Sequence, residues 1–87
     1  MPYQPKSSIR NEVEQKLIEI FRVSLLLEMN DEEICLVNRA NNPKWDSMTH
    51  LNLVLASEEA FQISIPDEQG AAITSFASML AVVRRLI

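Results

Sequence analysis

Ile9, Val13, Leu17, Ile20, Ser24 and Leu27 recur at spacings of three and four and fall along one side of a helix. Ser8 stands where an N-cap is wanted, so the pattern predicts a helix from there to about Glu28. Glu12 and Lys16 form a favourable i, i+4 pair on its wet side. The period is lost over residues 29–45, which contain the turn residues Asn41, Asn42 and Pro43. Ile34, Leu36 and Val37 make this stretch a long loop pinned onto the core, with one short helical turn after Asp31. A second helix opens at Asp46, a good N-cap, which puts Ser47 at its first position. Ile65-Pro66 ends that segment, and Pro66-Asp67-Glu68 starts a brief third helix with acids in its first turn. Thr74 is placed to cap the last helix. Phe76, Met79, Leu80, Val83 and Ile87 share one of its faces, and Arg84 and Arg85 suit its negative C-terminal end. The expected fold is all-α, with three longer helices and one short one around a single core. Residues 1–87 read as one domain with a loose leader over 1–8.

The second helix is apolar on two sides. Leu53 or Val54, Ser57 and Phe61 form one face, with Phe61 as the large anchor; Met48, Leu51 and Leu55, edged by Glu58 and Glu59, form another. Either the second strip is covered by the 29–45 loop, or it is an exposed docking surface rimmed by charge.

Composition narrows the chemistry. A chain of 87 residues that is 47% hydrophobic is near the lower end of what folds without staples. The single cysteine, Cys35, and the single histidine, His50, have no partners at metal-ligand spacing. No secretory signal is read, and no uninterrupted apolar run is long enough to cross a bilayer. The expectation is a cytoplasmic protein without a metal site. One glycine, Gly70, excludes Gly-rich phosphate loops. The net charge is −4, and from Asp46 to Glu68 there are five carboxylates and no Lys or Arg. Such a surface disfavours nucleic acid and favours proteins with basic docking patches.

As a hydrolytic nucleophile Ser47 is poorly equipped: His50 is three residues away on the same helix, and no glycine-bearing elbow surrounds the serine. A serine in the first helical turn is better suited to hold a phosphate ester, because free N–H groups and the helix dipole favour an anion there. Asp46-Ser47-Met48 resembles the Asp-Ser-Leu attachment motif of acyl carrier proteins. The resemblance continues through LNLVLASEEAFQISIPDEQGAAIT to the C-terminus, covering about half of the chain. It combines the motif with Glu58-Glu59, Phe61 and Ile65-Pro66-Asp67-Glu68 at the family's spacing.

The resemblance implies a four-helix acyl-carrier-protein-like bundle with a long first loop and a short third helix. It also implies a 4′-phosphopantetheine arm from coenzyme A on Ser47, flanked by Asp46 and Met48, whose thiol carries an acyl or polyketide cargo as a thioester. The chain would have no catalytic turnover of its own. A phosphopantetheinyl transferase and acyl-loading and acyl-processing enzymes would be its partners, docking on Met48, Leu51, Leu55, Glu58 and Glu59. Leu53, Val54, Phe61, Ile65, Ile73 and Met79 would either surround a cargo cavity or simply pack the core. Thr49 and Asn52 stand where many fatty-acid carriers are acidic, and Pro43-Lys44-Trp45 replaces a glycine-containing lead-in. These departures point to a specialised pathway and not to housekeeping fatty-acid synthesis. Trp45 either packs at the foot of the arm or anchors the loop. An aminoacyl or peptidyl carrier, and a helical interaction module that is never modified, are the alternatives; a monomer is the simplest state.

Overall fold

Among the described residues, five α-helices and one 3-10 turn follow one another: α1 (Ser8–Leu25), α2 (Asp31–Ile34), the 3-10 turn (Arg39–Asn41), α3 (Ser47–Phe61), α4 (Asp67–Ala71) and α5 (Phe76–Leu86). This computed structural model describes the backbone of residues 8–87 and the side chains of residues 12–87. Among the described residues there is no β-strand, only an isolated bridge between Asn38 and Ser75. None of their helices is long and apolar enough to cross a membrane. The expected leader, apart from the backbone of Ser8, and the side chains of Ser8 and Ile9 lie outside the described residues.

α1 packs on α2, α3 and α5. Its inner line runs through Leu17, Phe21 and Leu25, with Ile18 beside it; Ile20 and Ser24, expected on the core side, are only half-buried. Phe21 is the hub. Its ring meets Trp45 edge-on at 5.3 Å between centroids and Phe76 at 5.1 Å, joining α1 to the lead-in of α3 and to the start of α5. Each such pair is worth about 0.5–1.5 kcal/mol beyond burial.

α1 also ends three residues earlier than the spacing predicts. Leu26 takes φ 53°, in the left-handed region, and Leu27 N–H donates back to the Arg22 carbonyl at 2.9 Å, closing the helix as a Schellman turn. α3 ends the same way, with Gln62 at φ 57° and Ile63 N–H donating to Glu58 O at 3.0 Å. Neither stop carries a glycine, and the breaker the sequence offers for α3, Ile65-Pro66, lies beyond the actual stop.

The 26–45 segment is held by polar contacts as well as by apolar pins. Asn30 and Glu33 cap α2 reciprocally, and Asp31 accepts from Arg22 at 2.5 Å and from Gln15 at 3.1 Å. The Arg22 guanidinium holds the Asp31 carboxyl below its ordinary value. Ile34 and Val37 are buried, whereas Leu36, expected to pin the loop, is 78% exposed. Cys35 is half-buried, and burial raises its thiol pKa above the ordinary value.

α5 is capped by Ser75 and not by Thr74: Ser75 Oγ accepts from Ser78 N–H at 3.0 Å. The Thr74 carbonyl instead accepts from Arg39 N–H at 2.8 Å. Phe76, Met79, Leu80 and Val83 are buried as expected, Val82 joins them, and Ile87 is exposed.

Candidate functional site

Asp46 caps α3 through a bond from Thr49 N–H at 2.9 Å. That bond holds the Asp46 carboxyl below the usual carboxylate range and fixes Ser47 as the first helical residue. Ser47 is exposed. Its Oγ has one side-chain neighbour within hydrogen-bond reach among the described residues, Arg39, whose Nη2 stands 3.4 Å away.

His50 is not available to that hydroxyl. Its Nδ1 accepts from Trp45 Nε1 at 3.0 Å, and its Nε2 lies 2.9 Å from the Gly70 carbonyl. An indole nitrogen only donates, so Nδ1 must accept and the proton resides on Nε2, donating to Gly70. Both ring nitrogens are used in tying α3 to its own lead-in and to α4. Ser47 and His50 are therefore not hydrogen-bonded as a nucleophile and its base. Trp45 is 3% exposed and packs on Phe21: it anchors the chain entering α3. Periodicity gave Phe61 the anchoring role, yet Phe61 is only half-buried, with the Lys16 ammonium 5.6 Å from its ring centroid.

Between α3 and α4, Ser47 opens onto a groove of about 290 Å³. Leu51, Val54, Ile65 and Ala71 supply its apolar lining, and His50, Asp67 and Gly70 complete it. A Cβ on Gly70 would stand 3.7 Å from Ile65 and 3.9 Å from Val54. Alanine there would fit at ordinary contact distance and narrow the groove. Of the residues expected around a cargo space, Val54 and Ile65 meet Ser47 here. Leu53, Ile73 and Met79 are at most 1% exposed and line no part of this groove; they are core. Phe61 lines a different, open depression with Val13 and Lys16.

The outward face of α3 is bare. Met48, Leu51 and Leu55 are 70%, 54% and 53% exposed, so the 29–45 segment does not cover them. They follow one another at three and four residues, on one side of the helix, and Leu51 belongs to both this strip and the groove. Glu59 is exposed beyond them. Glu58 is different: it is half-buried, and its Oε2 accepts from Ile65 N–H at 2.7 Å. Its carboxylate holds the α3–α4 connection.

Sequence reasoning passed over Arg39, and it gave His50, Leu51 and Asp67 no place in a groove. Helical periodicity reports one helix at a time, whereas these residues meet only through the crossing of α3, α4 and the 3-10 turn. In comparisons with known proteins, no family model and no curated protein matches the chain.

Proposed function

We propose that this chain is an acyl carrier protein, carrying an organic acid on a 4′-phosphopantetheine arm attached to Ser47. The observation that carries the reading is the conjunction at the start of α3. An exposed serine hydroxyl at the first helical position opens onto an apolar-walled groove, and an uncovered apolar strip runs away from it. A structural N-terminal serine needs neither neighbour.

In the attachment step, Ser47 Oγ bonds to the coenzyme A phosphorus nearer the pantetheine. The pyrophosphate P–O bond breaks, adenosine bisphosphate leaves, and the hydroxyl proton passes to a base of the transferase. When attached, the arm supplies a thiol that holds an acid as a thioester. The chain's own residues position and present. Asp46 fixes the helix start, the Trp45–His50–Gly70 bridge holds the groove walls, and Met48, Leu51 and Leu55 offer a docking face. Tethering raises the effective concentration of cargo at each docked enzyme. With Glu58 engaged internally, the docking charge is thin, which favours a specialised partner set over housekeeping fatty-acid synthesis.

Val54, Ile65 and Ala71 favour an acyl or polyketide cargo over an amino acid, since each methylene moved out of water contributes up to about 0.8 kcal/mol. The deciding experiment is incubation with coenzyme A, magnesium and a broad-specificity phosphopantetheinyl transferase. Intact mass should show one added phosphopantetheinyl group on the wild type and none on Ser47→Ala, with unchanged circular dichroism. Modification at another residue, or none with several transferases, would sink the carrier reading in favour of an unmodified interaction module.

A further inference from the structure

Arg39 is a cation without a counter-charge among the described residues. Among the described residues the ion pairs are Arg22 with Glu19 and Asp31, and Arg84 with Glu14; Arg39 joins none. Its guanidinium instead reaches the Ser47 hydroxyl, Nη2 to Oγ 3.4 Å. A neutral hydroxyl satisfies little of a group with five donors that binds oxyanions in a fork.

The backbone under Arg39 is held from several sides. Arg39 N–H donates to Thr74 O at 2.8 Å, Phe76 N–H donates to Val37 O at 2.9 Å, and Asn38 and Asn41 cap the 3-10 turn reciprocally. These bonds fasten the turn to the start of α5, so the side chain springs from a fixed point beside α3. The adjoining segment from Asp46 to Glu68 contains five carboxylates and no Lys or Arg. An anion placed on Ser47 would add to that charge.

We infer that Arg39 is the positioning residue for the phosphodiester on Ser47, pairing with its non-bridging oxygens and fixing the direction in which the arm leaves the helix. This rests on the carrier reading. Arg39 takes no part in forming the ester bond; its effect begins once the anion is present. The guanidinium is partly exposed, so the pairing is modest and screened by salt.

The test compares unmodified and phosphopantetheinylated forms of the wild type, Arg39→Lys and Arg39→Ala, with modification scored first by intact mass. In the wild type, modification should shift the Arg39 side-chain NMR signals. Its effect on Tm should be more destabilising in Arg39→Ala than in the wild type by about 1–5 °C at low salt. Arg39→Lys should recover part of the difference, and 1 M salt should erase it. The ³¹P signal of the diester should move between wild type and Arg39→Ala. If Arg39→Ala does not fold, the wild-type NMR shift and the Arg39→Lys comparison decide. Complete modification with unmoved Arg39 signals, and the same Tm change in all folded variants, would overturn this inference and leave the carrier reading standing. An unmodified wild type would overturn both.

Discussion

α3 and α5 are both rich in apolar residues, and they use them in opposite ways. α5 buries Phe76, Met79, Leu80, Val82 and Val83 and turns Arg84 and Arg85 outward. α3, four residues longer, buries only Leu53 and Ser57 and leaves Met48, Leu51 and Leu55 more than half exposed. α5 follows the ordinary logic of a helix lying on a core. In α3 the fully buried face is thin: Val54 and Phe61 pack against the core while only partly buried, and Met48, Leu51 and Leu55 stand outside it. The fold is thus concentrated in α1 and α5 with the inner line of α3, and the candidate site in the outer and N-terminal parts of α3.

The contrast can be tested by substitutions of decreasing effect. Phe76→Ala removes a fully buried ring that packs edge-on to Phe21, and denaturant unfolding should show a loss of about 3–5 kcal/mol. A smaller loss would mean that α5 is not the principal support. His50→Leu keeps the bulk but strands the Trp45 indole N–H and the Gly70 carbonyl. The expected cost is about 1–3 kcal/mol, with increased hydrogen exchange at α4; no change would detach the polar bridge from the groove's architecture. Glu58→Ala and Glu59→Ala should separate cleanly. The first leaves Ile65 N–H without its carboxylate and should cost about 1 kcal/mol, whereas the second, fully outward, should be neutral within about 0.5 kcal/mol. Equal effects would contradict the internal role assigned to Glu58. The smallest stability effect is expected for Met48, Leu51 and Leu55 changed singly to Ser, each within about 0.5 kcal/mol. The same changes should slow arm transfer by the transferase, and unaltered transfer kinetics for all three would remove the docking role from this face.

Helix order was legible because each helix carries its own local evidence. Asp46 announces the start of α3, Pro66 with Asp67 and Glu68 announces α4, and the spacing of Phe76, Met79, Leu80 and Val83 gives the buried side of α5. The helix ends were less legible. α1 stops at Leu25 because Leu26 adopts a left-handed conformation, and α3 stops at Gln62 likewise. Leu26 and Gln62 are themselves exposed; the conformation is held by the return bonds from Leu27 and Ile63 to the Arg22 and Glu58 carbonyls, not by the residue's own preference. The cap of α5 shifted by one residue for a related reason: both Thr74 and Ser75 can cap, and the pairing of the Thr74 carbonyl with Arg39 N–H leaves the cap to Ser75.

The sequence alone determined an all-helical chain, the position of Ser47 at the first turn of a helix, and a surplus of apolar residues on that helix. Those properties follow from caps, periodicity and turn chemistry within a few residues of one another. Only the tertiary structure decided that Met48, Leu51 and Leu55 stand uncovered while Leu53, Ile73 and Met79 are core. It also placed Trp45 and not Phe61 as the aromatic anchor, gave Glu58 to the backbone of Ile65, and set Arg39 beside Ser47. Each of these depends on which part of another element arrives at a given side chain. That is fixed by the competition of all apolar faces for one small core, which no local pattern contains.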